Sequence, residues 1–303
     1  MDTRQPLDGR AVAIMLVLCL LWAMQQIALK ATAEDFSPVL QIALRSAVAA
    51  GCVWLYMRSR GERMDFSGGI WKPGMVIGLL FGLEYLLVGE GLRLTSAAHI
   101  VVFLYTAPIF AALGLHWKLP SEKLLPLQWL GIALAFAGIA VAFVVRGASS
   151  PQGDLARVIL GDLLGLLGGL AWGATTVVIR ATPLTRLSAS QTLMYQLLGA
   201  FALLLPAALV LGQTTFNPTA FVLAEFAFQC FIVSFASFLV WFWLLRHYLA
   251  SRLGVFSFLT PLFGVVLGAW LLGEQIESSF VAGASMVLAG IVLVSRGGAA
   301  RAK

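Results

Sequence analysis

The chain has 303 residues, of which 60% are hydrophobic and only 11% charged, with a mean hydropathy of +0.92. Soluble domains carry about 45–50% apolar and about 25% charged residues, so this composition excludes a soluble globular protein. The apolar residues form continuous runs without the alternation of a membrane barrel, which favours membrane-spanning helices.

Ten apolar windows, each bounded by Pro, Gly, Ser or charged residues, follow one another with short connections between them. Each is close to the length of about 20 residues that a spanning helix needs. In chain order the predicted spans are Ala11–Ala31, Ser37–Met57, Trp71–Leu92, Thr95–Trp117, Pro126–Val145, Val158–Arg180, Ser188–Leu211, Ala220–Leu245, Ser251–Leu272 and Glu277–Ser295. The predicted fold class is an all-α integral membrane protein with ten transmembrane helices.

The basic residues are concentrated on alternate connections between the spans. With the N-terminus inside, the outer side holds only Lys30, Arg93, Arg146 and Arg157, and Arg45 lies within a span. Cytoplasmic connections carry the excess of Lys and Arg, so both termini are predicted to be cytoplasmic. The net charge of +6 then faces anionic membrane lipid, and nucleic acid is not needed as a partner.

An internal repeat relates the two halves of the chain. The segment Leu21–Thr32 recurs as Ala171–Thr182, and Pro108-Ile109-Phe110 recurs as Pro261-Leu262-Phe263. We therefore predict two repeats of five spans, residues 1–150 and 151–303. Because five is odd, the second repeat enters the membrane from the opposite side, which gives inverted-topology repeats. The recurrence also argues against a cleaved signal peptide at Ala31-Thr32-Ala33.

Proline and small residues in the repeats predict how the helices bend and pack. Pro108 and Pro261 lie within spans at equivalent positions, and we expect two hinged or kinked helices that flank a cavity. Small residues spaced four apart predict close helix approach at Gly131 with Ala135 and at Gly161, Gly165 and Gly169.

Polar and aromatic residues near the membrane midplane are the candidates for substrate binding, since an ionisable group in the membrane is costly and marks function. The set comprises Trp22, Gln26, Arg45, Glu84, Tyr85, Tyr105, Trp172, Thr176, Tyr195 and Trp241. Aromatic rings can stack on an apolar side chain, Arg45 can bind a carboxylate, and Glu84 can bind an ammonium group or exchange a proton. The alternative for Arg45 and Glu84 is a mutually neutralising ion pair.

Two further ionisable residues lie nearer the ends of spans. His99 is a second candidate for proton coupling, and its alternative is a hydrogen-bonded interfacial histidine. Asp162 is expected as a charge near the N-terminus of the sixth span.

Motifs typical of catalysis are absent from the sequence. We find no His-Glu-x-x-His metal site, no Gly-x-Ser-x-Gly elbow, no phosphate-binding Gly-x-x-x-x-Gly-Lys-Ser/Thr loop and no Cys/His cluster at ligand spacing. We therefore expect neither enzyme activity nor a metal, cofactor or ATP-driven step in this chain.

Several segments resemble one membrane transporter family. They are the two five-span halves with Trp in their first spans, Leu94–Ala98 leading to Tyr105–Pro108, and Leu259–Pro261 leading to Leu272–Glu274. Together they resemble the EamA-type drug/metabolite transporter superfamily over nearly the whole chain. Within it, the chain is most similar to the YddG type of aromatic amino-acid exporter.

The resemblance implies a secondary transporter of the bacterial inner membrane, with a central cavity between the repeats. It implies export of amino acids or other small metabolites, as in many members. From the inverted halves we expect alternating access at a midplane cavity, and we expect a monomer. Three alternatives stay open: a passive facilitator or channel, an exporter of drug-like solutes, and, more distantly, an intramembrane lipid-modifying enzyme.

Overall fold

The computed structural model of the chain describes residues 8–120, 123–144, 152–248, 257 and 259–301. Within them the regular structure is helical, which confirms the all-α prediction for this part of the chain. The helices are α1 (Gly9–Ala31), α2 (Pro38–Ser59), α3 (Trp71–Leu94), α4 (Ala97–Leu104), α5 (Ala107–Lys118), α6 (Pro126–Val144), α7 (Gln152–Ala181), α8 (Ala189–Val210), α9 (Ala220–Ala227), a π-helical segment (Phe228–Ser237), α10 (Phe238–His247), α11 (Leu259–Leu271) and α12 (Ser278–Arg301). Short 3₁₀ turns occupy Ser67–Gly69 and Pro183–Arg186.

Hydropathy and length identify the helical stretches that can cross a bilayer. Among the described residues, seven are long and apolar enough: Gly9–Ala31, Pro38–Ser59, Trp71–Leu94, Ala97–Lys118, Leu155–Ala181, Ala189–Val210 and Ala220–Trp241. Three apolar helices are shorter: Pro126–Val141, Leu259–Leu271 and Ser278–Val294. The chain is therefore a multi-pass membrane protein. The predicted start of the ninth span, Ser251, lies outside the described residues.

Several helices begin at side chains that satisfy the free N–H groups of the first turn. Asp8 accepts a hydrogen bond of 2.7 Å from the Ala11 N–H, and this bond holds the pKa of the Asp8 carboxyl below its ordinary value. Ser96, Ser188 and Thr219 cap α4, α8 and α9 in the same way. The helix starts follow local sequence, while the helix contacts are long-range.

The predicted fourth span is not one continuous helix. α4 ends at Leu104 and α5 begins at Ala107, while the Thr106 hydroxyl donates to the Phe103 carbonyl at 2.6 Å. Pro108 lies in the first turn of α5, where a residue without an N–H is tolerated. Pro261 lies in the first turn of α11. Both prolines therefore stand at helix starts and not inside unbroken helices.

Helices from the first half of the chain pack against helices from the second half. α2 contacts α8 and the π-helical segment, and α3 contacts α7 and α8. α4 contacts α7 and α11, α5 contacts α7, α1 contacts α11, and α6 contacts α12. The halves are thus interleaved, and the buried core lies between them.

Glycines allow the closest of these contacts. A Cβ at Gly199 of α8 would lie 2.3 Å from the Cα of Gly78 in α3, and one at Gly131 would lie 2.6 Å from the Gly290 carbonyl oxygen. A Cβ at Gly161 or Gly169 would lie within 3.0 Å of α4 and the turns beside it. The close helix approach predicted from small residues is confirmed at Gly131, Gly161 and Gly169.

Candidate functional site

Arg45 of α2 lies where four helical segments meet, and its side chain is only 2% exposed. Its Nη1 donates to Gln229 Oε1 at 2.5 Å, and its Cζ lies 4.6 Å from the centre of the Tyr85 ring. The Tyr85 hydroxyl accepts a hydrogen bond of 3.3 Å from Gln25 Nε2. The guanidinium is therefore held between α3 and the π-helical segment by one amide oxygen and one aromatic face.

Gln229 extends this contact into a longer buried network. Its Nε2 donates to Glu225 Oε1 at 2.8 Å and to the Gln25 carbonyl at 3.0 Å. The other Glu225 oxygen accepts from Gln41 Nε2, and Thr32 donates to Gln41 Oε1 at 3.4 Å. We refer to Thr32, Gln41, Glu225, Gln229, Arg45, Tyr85 and Gln25 as the Arg45 network. Every member is buried, so the network is shielded from solvent.

Glu84 lies beside this network, 4% exposed. Its Oε2 is buried and has no hydrogen-bond partner among the described residues. Within the same part of the chain, Arg45 and Glu84 make no ion pair, and the guanidinium donates to Gln229. Since buried polar atoms are normally paired, this oxygen is available to a proton or a cationic group. The buried Gln26 Oε1 likewise has no partner in the described structure.

Aromatic residues form two groups around this region. Trp22 donates from Nε1 to Ser237 Oγ at 2.9 Å and meets Trp241 edge-on, with ring centres 5.6 Å apart. Tyr105 meets Trp172 edge-on at 5.2 Å. The Thr176 hydroxyl, in contrast, donates to the Trp172 carbonyl one turn earlier in its own helix at 3.3 Å.

Tyr195 lies apart from the Arg45 network, in contrast to its predicted place among the midplane residues. Its hydroxyl donates to the Asp65 carbonyl at 3.3 Å, and its ring meets Phe66 edge-on. The α2–α3 connection folds over α8 here. Gly74 makes room for the ring, since a Cβ there would lie 2.6 Å from it. The Asp65 carboxyl accepts hydrogen bonds from Ser67, which lower its pKa.

His99 belongs to a separate cluster near the end of α3. Its Nδ1 lies 2.9 Å from Asp162 Oδ1, and the Thr95 hydroxyl donates to the same oxygen at 2.7 Å. Its Nε2 lies 3.6 Å from Glu277, and its ring stacks on Phe280 at 3.9 Å. Asp162 is fully buried, ten residues inside α7, so the expectation of a charge at a helix N-terminus is corrected to a buried partner of Thr95 and His99.

An open polar pocket of about 330 Å³ lies beside the His99 cluster, between Lys30, Arg93, Ser96, Glu274 and Glu277. The Glu274 carboxylate accepts hydrogen bonds from the Ala97 and Ala98 N–H groups at the start of α4. Lys30 donates to the carbonyls of Leu92 and Thr95. These bonds tie the α11–α12 connection and α1 to the junction of α3 and α4.

A second pocket on the surface is lined mainly by apolar side chains. An apolar groove of about 310 Å³ runs between α1 and the π-helical segment. Among the described residues, no group of three or more His, Cys, Asp or Glu side chains is arranged to hold a metal ion.

The sequence reasoning missed the second-half members of the Arg45 network. Glu225 and Gln229 are polar residues four apart in an otherwise apolar span, so they lie on one helix face. That spacing is the available signal. It does not identify Arg45 as their partner, because the partner comes from a remote helix.

Comparison with known proteins places the chain in a family. The model of the EamA-like transporter family matches residues 9–144 and again residues 159–296. "Uncharacterized transporter YoaV" of Bacillus subtilis is 24% identical over 90% of this chain and 92% of the relative. "Uncharacterized inner membrane transporter YedA" of Escherichia coli K12 is 23% identical over 96% of this chain and 91% of the relative.

Two further similarities cover most of both chains. An "Uncharacterized transporter" of Archaeoglobus fulgidus is 23% identical over 95% of this chain and 98% of the relative. A solved crystal structure shares the fold with a TM-score of 0.66 at 20% identity, over 94% of this chain and 98% of the other. Given the family match over both halves, the chain belongs to the EamA-like transporter family.

Proposed function

We propose that this chain is a secondary transporter that exports amino acids with aromatic or other apolar side chains, as the YddG-type exporters do. The observation that carries the proposal is the joint burial of Arg45, Glu84 and Tyr85 between the two halves of the bundle. A guanidinium, a carboxylate with a free oxygen and an aromatic face together match the carboxylate, ammonium and side chain of such a substrate.

The aromatic groups supply the apolar part of the proposed site. Trp22 with Trp241 and Tyr105 with Trp172 offer ring faces and edges on which an apolar side chain can pack. Gln26 has a buried oxygen without a partner in the described structure, which makes it a further contact for the substrate. In this proposal Thr176 and Tyr195 are peripheral, because their hydroxyls are bonded to backbone carbonyls.

We also propose that ten spans form two inverted repeats, residues 1–150 and 151–303, which move against each other in alternating access. The double match to one family model supports this division. The helix contacts support it too. Exchanging the two halves converts the contact of α1 with α11 into the contact of α7 with α4. It likewise converts the contact of α2 with the π-helical segment into the contact of α8 with α3. Pro108 and Pro261 are the proposed hinges, both at helix starts.

Coupling and orientation complete the proposal. Glu84 binds the substrate ammonium or exchanges a coupling proton, and His99 is a second proton-coupling residue at the polar pocket. Both termini lie in the cytoplasm, which the distribution of Lys and Arg supports. The protein acts as a monomer in the inner membrane, without a cofactor and without chemical change to its substrate.

Uptake by proteoliposomes tests this function. Purified protein is reconstituted and screened against amino acids and drug-like solutes, with and without a proton gradient. We expect accumulation of phenylalanine or a similar amino acid against its gradient, abolished by an uncoupler. Transport without accumulation would indicate a facilitator or channel, and preference for drug-like solutes would contradict the amino-acid assignment. A chemically altered product would instead support a lipid-modifying or other enzyme.

A further inference from the structure

The partner of Arg45 is unusual for a buried guanidinium. Guanidinium groups pair best with carboxylates, through two parallel and charge-assisted hydrogen bonds. Here the acceptor on Nη1 is the neutral amide oxygen of Gln229, at 2.5 Å. An amide oxygen accepts hydrogen bonds in the plane of its group, as a carboxylate oxygen does. It carries less negative charge, so it binds a guanidinium more weakly than a carboxylate does.

The carboxylates nearby do not take this position. Glu225 makes no ion pair with Arg45 among the described residues, and its own oxygens accept from Gln229 and Gln41. Glu84 makes no ion pair with Arg45 among the described residues. A buried charge is costly unless it is paired, so an incoming carboxylate would gain more from Arg45 than Gln229 does.

The two sides of the contact differ in how they are held. The Arg45 guanidinium lies over Tyr85, and Tyr85 is bonded to Gln25 of α1. Gln229 is the second residue of the π-helical segment Phe228–Ser237. π-Helical turns are rare and occur often at functional sites, where a change of helical register can shift a side chain. Gln229 is itself held through Nε2 by Glu225 and the Gln25 carbonyl, so moving its Oε1 away from Arg45 requires a shift of the π-helical segment.

We propose that Gln229 Oε1 occupies the carboxylate-binding position on Arg45, and that the carboxylate of the substrate competes with it and displaces it. This inference rests on the proposed export of amino acids. In this proposal Gln229 is an internal competitor that sets the affinity of the site for carboxylates. Its role therefore differs from that of a residue that only positions Arg45.

The sign of the change in KM tests this role. Gln229→Met keeps the side-chain length and removes the competing oxygen together with the Nε2–H groups that bind Glu225 and the Gln25 carbonyl. We expect the KM for L-phenylalanine in proteoliposomes to fall by about tenfold, the effect of removing one hydrogen bond to a charged group. Gln128→Met is the matched control, since Gln128 is also buried and hydrogen-bonded but contacts Val294 far from the network. A KM that rises in Gln229→Met would show that Gln229 positions Arg45, and would overturn the proposal.

A charge-conserving exchange gives a second, independent test. The double variant Glu225→Gln/Gln229→Glu moves the carboxylate next to Arg45 without changing the net charge. We expect the KM for L-phenylalanine to rise by about tenfold or more, while the inhibition constant of phenethylamine, which has no carboxylate, changes much less. Equal effects on both compounds would contradict competition for the carboxylate position.

The outcome for the wild-type protein separates the two levels of inference. If the wild type neither transports L-phenylalanine nor is thermally stabilised by it, the proposed function fails and this inference fails with it. If the wild type transports L-phenylalanine but KM rises in Gln229→Met and falls in the double variant, only the role of Gln229 is overturned.

Discussion

Arg45 of α2 and Gln229 of the π-helical segment are 184 residues apart in sequence, yet a 2.5 Å hydrogen bond joins their side chains. The bond crosses from the first half of the chain to the second, in the part of the bundle where Glu84 has an oxygen without a partner in the described structure. A ligand that binds here contacts both halves, as a binding site for alternating access requires. Four variants test how this region and its scaffold work.

Glu84→Gln removes a buried carboxyl group that can ionise, while preserving the shape of the side chain. We expect transport per folded molecule to fall by about tenfold, while the amount of folded protein changes little, because the carboxylate is replaced by an amide of equal size. Transport is measured in proteoliposomes at several values between about pH 5 and about pH 8. Rates per folded molecule equal to those of the wild type across this range would remove Glu84 from the mechanism.

Trp22→Phe removes the Nε1–H that donates to Ser237 and keeps an aromatic ring beside Trp241. The Ser237 hydroxyl still donates to the Val233 carbonyl, so we expect a modest loss of stability of about 1 kcal/mol. We expect a larger free-energy effect on the KM of an aromatic substrate than on stability, because the ring at this position is re-oriented. Trp117→Phe is the control, since Trp117 is 76% exposed. Identical KM values in the two variants would argue against Trp22 as a substrate contact.

Asp162→Ala removes the acceptor shared by Thr95 and His99. Because both donors are buried, we expect a loss of about 2 kcal/mol in stability, seen as a lower temperature of aggregation in detergent. Because we propose that His99 couples protons, we expect the pH profile of transport by the folded fraction to shift in this variant. An unchanged pH profile would instead indicate that His99 has only a structural role.

Gly199→Ala tests the contact between α3 and α8. A Cβ at position 199 would lie 2.3 Å from the Cα of Gly78, so the two backbones must separate. We expect a destabilisation of about 2 kcal/mol, typical of overpacking. Gly51→Ala on α2 is the matched control, because nothing lies within 4 Å of a Cβ there. Thermal denaturation followed by size-exclusion chromatography compares the two, and equal midpoints would contradict the packing described.

The sequence predicted individual side chains with uneven success. Five of the predicted residues lie in the buried centre of the bundle or at its edge: Arg45, Glu84, Tyr85, Tyr105 and Trp172. Their depth could be predicted because depth along a helix follows from residue count. Tyr195 does not join them, since the α2–α3 connection folds back and bonds its hydroxyl. Residue count gives depth but not the direction in which a side chain points from its helix.

The sequence by itself determined that the chain is embedded in a membrane and where its apolar helices lie. It also determined which family the chain resembles. Hydropathy and repeated motifs carry this information because they are properties of contiguous residues. Only the tertiary structure decided which polar groups meet: Gln229 with Arg45, and Asp162 with Thr95 and His99. Such partners depend on the rotation and relative height of packed helices. In an apolar span these are set by side-chain packing over the whole bundle, and no local pattern encodes them.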